Sequence, residues 1–214
     1  MEELKLNIGC GPTGQIDGYQ NLDNSPSVIL SKIPSLKFIL YHLGIISLDQ
    51  YKADWSRVKY CDAGKGLPYR DESINKIYSS HFLEHIPQEK GIHFLSECFR
   101  VLKKPGIMRL VIPDLHWHAV QYVEETNRLQ RSSDLPDDRT VHDVFLNQVC
   151  GAYLGKTRYG SQHCYMYDFP TVVCILKSIG FRNIRKCEYG KGTDEELASH
   201  DSRPLDSLHI EAGK

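Results

Sequence analysis

The chain has 214 residues, and its 26 basic and 27 acidic side chains give a formal net charge of −1 at pH 7. Such a length suits one domain with a sizeable core, and the near-neutral charge excludes a strong general attraction to nucleic acid or anionic membranes. Hydrophobic residues make up 41% and charged residues 25% of the chain, a balance that excludes wholesale disorder. We therefore expect a single folded domain over residues 1–214.

Three features bear on cellular location. The most apolar stretch, residues 36–48, is interrupted by Lys37, His42 and Gly44, so we predict no membrane span. The first residues have neither the basic nor the apolar segment of a signal peptide. The seven cysteines form no closely spaced pair, which favours reduced thiols and a cytoplasmic protein over disulfides or a closed zinc site.

Short apolar segments alternate with helical patterns along the chain. This alternation is typical of a mostly parallel β-sheet with helices on both faces, the α/β class. The predicted strands are Leu4–Gly9, Tyr19–Asp23, Val58–Asp62, Lys76–Ser79, Met108–Ile112, Asn183–Tyr189 and Ser207–Glu211.

Helical patterns lie between these strands. Residues Gln88–Lys103 place apolar side chains on one face, which predicts an amphipathic helix. A second helix is predicted to start at the capping residue Asp168 and to stop at Gly180. Residues 27–48 predict two short helical pieces, because a proline and a glycine interrupt the apolar pattern.

Two segments fall outside the regular alternation, at about residues 27–57 and 115–155. We predict that both are helical inserts. Within the second, residues 124–138 are polar and are predicted to form a long connection or lid. Inserts of this kind are where we expect substrate specificity to be set.

The first predicted strand runs into the glycine pattern Gly9-x-Gly11-x-x-Gly14, formally a dinucleotide-binding signature. Glycines there let the backbone turn tightly and approach a ligand closely. However, residues Thr13–Gly18 lack the apolar period of a phosphate-binding helix. The acid of the next strand, Asp23, follows Gly11 after twelve residues instead of about 20. A ligand with a ribose and no phosphate fits better, and S-adenosylmethionine is such a ligand.

Further segments complete a resemblance to a known family. The chain resembles the class I S-adenosylmethionine-dependent methyltransferases of type 11, and its tail resembles a bacterial and archaeal subgroup of unassigned substrate. That family implies a Rossmann-like, seven-stranded, mostly parallel sheet with strand order 3-2-1-4-5-7-6 and S-adenosyl-L-methionine as the cofactor. The matching segments are Leu6–Gly11, Asn21–Asp23, Cys61–Ala63, Ile77–His85, Leu102–Gly106 and Arg109–Asp114.

The resemblance also implies which residues hold the cofactor. The carboxylate of Asp23 would accept hydrogen bonds from the ribose hydroxyls, and Asp62 would contact the adenine amino group. The complete predicted set is Asn7, Gly9, Cys10, Gly11, Asp23, Asp62, Ala63, Ser79, Ser80 and His81.

Candidate catalytic residues follow from the chemistry of methyl transfer. The reaction is an in-line displacement, so positioning dominates, and a hydroxyl acceptor also benefits from a general base. Bases are expected where the fourth and fifth strands end. His81, Asp114 and His163 are the predicted catalytic residues. The alternatives are packing against the cofactor for His81, a helix cap for Asp114, and packing beneath the lid for His163. Arg203 is either a binding group for an anionic acceptor or a surface charge.

Histidines and acids recur in two further places. Glu84 and His85 are expected to make structural hydrogen bonds, because their spacing differs from the HExxH pattern of zinc proteases. Asp114, His116 and His118 could form a metal site, although polar residues on an exposed turn are more often solvated. We therefore predict no metal.

The predicted function is methyl transfer from S-adenosylmethionine to a small-molecule or sugar-like acceptor, at oxygen. Two alternatives stay open. A non-catalytic module that binds the cofactor and assists another enzyme would keep the same glycines and acids. A nicotinamide-dependent oxidoreductase is disfavoured by the missing phosphate helix. A protein or nucleic-acid acceptor is a further possibility, with the near-neutral charge arguing against nucleic acid.

Overall fold

The computed structural model describes residues 3–131, 145–146, 149 and 163–214. Within these residues seven strands form one sheet in the order β3-β2-β1-β4-β5-β7-β6, which confirms the predicted architecture. β7 runs antiparallel to β5 and β6, and the other neighbouring strands are parallel. The strands are β1 Lys5–Ile8, β2 Gln20–Asp23, β3 Val58–Tyr60, β4 Ile74–Ser80, β5 Leu102–Pro113, β6 Arg182–Cys187 and β7 Ser207–Gly213.

Helices connect and cover the strands. A single 3-10 turn, Leu83–His85, lies between β4 and the helix that follows it. The α-helices are α1 Pro26–Leu30, α2 Pro34–His42, α3 Leu48–Lys52, α4 Gln88–Val101, α5 Leu115–Arg131, α6 Phe169–Ile179 and α7 Glu195–Ala198.

Both faces of the sheet are covered, as predicted. Alternate residues of a strand point to opposite faces. On β5, Met108, Leu110 and Ile112 are fully buried in the large core to which α4 and α6 contribute. Val111 points to the other face, where it packs in a smaller cluster with Leu197 of α7.

The two helices with clear end signals form as predicted. The Asp168 carboxylate accepts a hydrogen bond of 2.9 Å from the Thr171 N–H and so caps α6. Gly180, with φ +119°, ends that helix. α4 ends at Val101, because Leu102 already pairs with Ile74 in the sheet. β5 is therefore 12 residues long, more than twice its predicted length.

The two helical pieces predicted over residues 27–48 form as α1 and α2, and a third helix, α3, follows them in the first insert. The hydroxyls of Ser25 and Ser47 each cap a separate helix start, which divides the segment. Phe38, Leu43 and Ile45 of this insert are exposed.

Part of the prediction for the second insert is wrong. The prediction of a long connection over residues 124–138 is wrong for residues 124–131, which continue α5. Ion pairs three residues apart, such as Glu125–Arg128, support that part of the helix. The remaining residues of the predicted connection, 132–138, lie outside the described residues.

The structure also bears on the predictions about membrane spans and cysteines. No helix in the described part of the chain has the length and apolar character needed to cross a bilayer. Six cysteines are described, and all six are free thiols.

Candidate functional site

The loop after β1 needs glycine at two positions, for different reasons. Gly9 has φ +74° and Gly11 has φ +58°, conformations that glycine adopts without a steric cost. A Cβ at Gly9 would also lie 2.5 Å from the Cβ of Phe82, whereas the space beside Gly11 is open. Gly9 therefore lets the loop pack on the residues after β4, and Gly11 leaves a cradle that a ligand can approach.

Two buried asparagines hold this loop in place. The Asn7 amide donates hydrogen bonds of 2.7 Å to the Asn21 side chain and to the Gly14 carbonyl. Asn21 in turn accepts a hydrogen bond from the Ile16 N–H. Residues 11–19 form turns in place of a helix, as the sequence predicts. Side-chain amides thus supply the order that a first helix would give.

The acids at the ends of β2 and β3 lie where the sequence places them. One Asp23 carboxylate oxygen accepts the Gly11 N–H and the other accepts the Ser25 N–H, each at 2.8 Å. Asp62 lies 3.0 Å from the Lys65 ammonium group. Because Asp23 accepts a hydrogen bond from the backbone of the glycine cradle, the acid and the cradle form one polar site. These residues fit the cofactor that the sequence implies.

A cavity of about 270 Å³ opens beside the glycine loop. Six of the ten predicted cofactor residues line it, and Asp23, Asp62, Ala63 and Ser79 do not. Ser79 is buried, and its hydroxyl donates to the Ile8 carbonyl at 3.1 Å. The lining residues are Asn7, Gly9, Cys10, Gly11, Thr13, Gly14, Ile16, Tyr78, Ser80, His81, His200, Ser202 and Arg203.

The thiol of Cys10 lies in this cavity wall. Burial, with the nearby Asp23 charge as a second cause, raises the pKa of Cys10 to about 12. The thiol stays protonated at neutral pH, so it does not act as a nucleophile.

Sequence reasoning missed part of the wall. His200 and Ser202 come from the segment before β7 and reach the cavity through the fold. The Tyr78 hydroxyl donates a 2.8 Å hydrogen bond to the His200 carbonyl and ties that segment to β4. Arg203 lines the cavity and is also exposed. Its position is compatible with both alternatives from the sequence, a group that binds an anionic acceptor and a surface charge.

A buried arginine holds this segment against the sheet. The Arg109 guanidinium donates to Asp201 at 2.8 and 2.5 Å and to Glu211 at 3.0 Å. The carbonyls of Glu188 and Lys191 accept further bonds from it. Burial alone would lower the pKa of Arg109, but its bonds to Asp201 raise it above the usual value. The arginine stays charged and fixes the backbone that carries His200 and Ser202.

His81 stands at the junction of the cavity and a second polar group. Its φ of +51° is uncommon for a residue with a side chain and stores strain. Its Nε2 lies 3.1 Å from the Ser207 hydroxyl. Its Nδ1 lies 3.0 Å from a Glu84 oxygen. The imidazole thus contacts a carboxylate oxygen on one side and a hydroxyl on the other.

Asp114 has the partners of a helix cap. One carboxylate oxygen accepts the His116 N–H at 3.0 Å at the start of α5, and the other lies 3.1 Å from the Lys186 ammonium. The residue is not among those that line the cavity. Asp114, His116 and His118 do not bring three ligand atoms together, so the structure does not support a metal site there.

The other histidines gather around Glu84. One possible ligand atom from each of Glu84, His85 and His163 lies within 4.8 Å of the others. His163 lies outside the cavity wall, and burial lowers its pKa. The main-chain carbonyl of Glu84 accepts structural hydrogen bonds, as expected, but neither buried side-chain oxygen accepts one from the described residues. The 3.0 Å contact with His81 is short enough for such a bond but is not aligned for one.

Sequence comparison supports methyl transfer. A family model described as a methyltransferase domain matches residues 43–110, which include β3, β4, α4 and most of β5. The sequence matches no curated protein.

Solved structures share the fold. A SAM-dependent methyltransferase from Methanosarcina mazei is 19% identical, with a TM-score of 0.54 and coverage of 100% of this chain and 93% of that chain. One from Archaeoglobus fulgidus is 16% identical, with a TM-score of 0.53 and coverage of 99% and 86%. Phosphoethanolamine N-methyltransferase 2 from Haemonchus contortus, solved with S-adenosyl-L-methionine, is 16% identical, with a TM-score of 0.51 and coverage of 100% and 49%.

Sheet order, glycine cradle, strand-end acids and the family-model match agree with one another. Together they support a class I methyltransferase fold and methyl transfer with S-adenosyl-L-methionine as the cofactor.

Proposed function

We propose that this methyltransferase acts on a hydroxyl group of a small, sugar-like acceptor, with His81 as the general base. The observation that carries the proposal is the position of the His81 ring, in the cavity wall with Glu84 on one side and a hydroxyl on the other. The negative charge of Glu84, 3.0 Å from Nδ1, favours the tautomer with its proton on that nitrogen. The lone pair of Nε2, which faces the Ser207 hydroxyl, is then the one that accepts a proton.

Besides accepting this proton, the protein has only to hold the cofactor and the acceptor in line. When bound, the cofactor would supply the electrophilic methyl group of its sulfonium for an in-line displacement by the acceptor oxygen. The hydroxyl proton passes to His81 Nε2, which in this structure already faces the hydroxyl of Ser207 at 3.1 Å. Gly9, Gly11 and Asp23 hold the cofactor in line for this displacement.

The cavity lining favours a polar acceptor. Tyr78, Ser80, His200 and Ser202 place hydroxyl and imidazole groups on its wall. Convergent polar groups of this kind orient small polar ligands. Arg203 at the same wall suits an acidic substituent on the acceptor, because a guanidinium binds carboxylate or phosphate through paired hydrogen bonds.

Replacing the proposed base tests this function. His81→Gln is expected to lower turnover by about 10²- to 10⁴-fold, the usual contribution of a general base. Affinity for S-adenosylhomocysteine, measured by calorimetry, should fall much less than turnover. Turnover is followed as S-adenosylhomocysteine production with sugar alcohols, sugar acids and matched amines as acceptors.

The matched control is His93→Gln, which changes an exposed histidine on α4. It should leave turnover unchanged. Methylation of the amines alone would reject the hydroxyl acceptor, and full turnover by His81→Gln would reject His81 as the base.

A further inference from the structure

We propose that Glu84, His85 and His163 bind a divalent transition-metal ion beside the methyl-transfer cavity. One atom from each of the three side chains lies within 4.8 Å of the other two. The residues come from the 3-10 turn after β4 and from the segment before α6. The fold therefore brings together ligands that are about 80 positions apart in the sequence.

The carboxylate of Glu84 lacks the partners that a buried charge requires. Its side chain is 1% exposed. Neither oxygen accepts a hydrogen bond from the described residues. The ion pairs of the described chain give Glu84 only two histidines, His81 at 3.0 Å and His85 at 3.8 Å. A buried carboxylate without full compensation costs several kcal/mol, and a divalent cation would supply the missing charge.

The histidines are arranged as metal ligands. His163 Nδ1 lies 3.2 Å from the Val149 carbonyl, and the tautomer that donates this bond has a lone pair on Nε2 that can bind a metal. A ring nitrogen bonded to a backbone carbonyl is the usual support of a metal-binding histidine. Two ligand atoms at typical zinc-bond lengths lie roughly 3–3.5 Å apart. His85 Nε2 and the nearer Glu84 oxygen, 3.8 Å apart, are close to that spacing.

Backbone hydrogen bonds hold the two ligand segments together. The Cys164 N–H donates to the Glu84 carbonyl at 2.6 Å, and the Tyr165 N–H reaches the same oxygen at 3.3 Å. The His85 N–H donates to the Phe82 carbonyl at 3.1 Å. The cluster is thus fixed by the main chain and needs little rearrangement to close on an ion.

The donor set favours particular metals. Two imidazoles with one carboxylate suit Zn²⁺, Fe²⁺, Co²⁺ or Mn²⁺, whereas Mg²⁺ prefers oxygen donors. Three protein ligands leave coordination positions open. His81 contacts Glu84 and also lines the cavity, so the proposed metal cluster adjoins the cavity wall.

Metal binding can be measured without any methyl acceptor. The full chain is treated with a chelator, dialysed, and titrated with Zn²⁺ by calorimetry and with Co²⁺ by visible absorption. We expect one ion per chain and a Co²⁺ spectrum of low coordination number. His163→Gln and Glu84→Gln should each weaken the affinity at least about tenfold, the scale of lost metal-site interactions. His93→Gln, on an exposed face of α4, should bind as tightly as the unaltered chain.

The outcomes separate the two proposals. Absence of one-to-one binding, or equal affinity in both ligand variants and the control, overturns the metal site. Because Glu84 is buried and its variant could misfold, the half-buried His163 supplies an independent test. Metal binding without methylation of hydroxyl acceptors supports the site and rejects the proposed function. Full methylation by chelated protein that binds no metal rejects the site and supports the function.

Discussion

Two buried clusters of charged side chains differ in how their charges are balanced. Around Arg109, the acids Asp201 and Glu211 face a guanidinium whose nitrogens donate to both. The second oxygen of Glu211 accepts the Thr193 N–H and hydroxyl at 2.9 and 2.6 Å. Around Glu84, the carboxylate is equally buried, yet it faces only histidines and accepts no hydrogen bond from the described chain.

This difference separates a structural role from a binding role. The Arg109 cluster is complete within the protein, and its effect is to fix the segment that carries His200 and Ser202 to the cavity. Among the described residues no group donates a hydrogen bond to the Glu84 carboxylate. Buried charges need compensation, and the metal ion proposed above would supply it.

The largest effect is expected from breaking the complete cluster. Arg109→Met leaves Asp201 and Glu211 buried without their cation, and should lower the free energy of unfolding by about 3–5 kcal/mol. Urea denaturation at pH 7 measures the change. The control Arg128→Ala removes an exposed ion pair with Glu125 and should cost less than about 1 kcal/mol. Equal effects in the two variants would show that the Arg109 cluster is dispensable.

Asp23 lies between these two cases. Its oxygens accept hydrogen bonds from backbone N–H groups, and its carboxylate also adjoins the glycine cradle. Asp23→Ala should weaken binding of S-adenosylhomocysteine by about 1.5–3 kcal/mol for each lost charged hydrogen bond. Calorimetry gives the affinity, and Asp49→Asn on the insert helix α3 is the matched control. Unchanged affinity in a folded Asp23→Ala variant contradicts the ribose-binding role.

A smaller effect on stability is expected at the incomplete cluster. Glu84→Gln in the metal-free protein removes a charge that has no full partner, so the free energy of unfolding should change by less than about 1 kcal/mol or increase. The same urea experiment measures it, with Arg109→Met as the contrasting case. A loss as large as that of Arg109→Met would mean that the protein already compensates Glu84.

The smallest predicted effect is the pH dependence of the free energy of unfolding. Burial lowers the pKa of His209, which lies 3.7 Å from Asp201 in the complete cluster. Its folded-state pKa is below the unfolded value of about 6.5, so the unfolded chain binds the proton more readily. The free energy of unfolding should therefore fall as the pH drops below that value. Burial lowers the pKa of His163 and His200 in the same direction.

Urea denaturation at pH 7.5 and 5.5 measures this dependence. His209→Gln should reduce the slope, because one of the three depressed histidines is removed. The exposed His93→Gln serves as the control and should keep the slope of the unaltered chain. An equal slope in both variants would show that His209 does not contribute to the pH dependence of stability.

The observed lengths of helices and strands show which features depend on neighbouring residues and which depend on contacts between distant segments. The helix from the Asp168 cap to the Gly180 stop was predicted closely, because caps and apolar period act within a few residues. β5 was predicted at less than half its length, because Leu102 to Gly106 join the sheet through neighbouring strands. The polar residues 124–131 were predicted as a connection and are helical, since residue type alone did not reveal their support by i,i+3 pairs.

The sequence by itself determined the sheet order through its family resemblance, and the cofactor loop through Gly9, Gly11 and Asp23, because close backbone approach requires those residue types. Only the tertiary structure decided which distant groups meet at the site. It brought His200 and Arg203 to the cavity and His163 to Glu84. It also left the Glu84 carboxylate buried without a hydrogen bond from the described residues. Burial and charge balance depend on contacts between segments far apart in the chain, which no local pattern encodes.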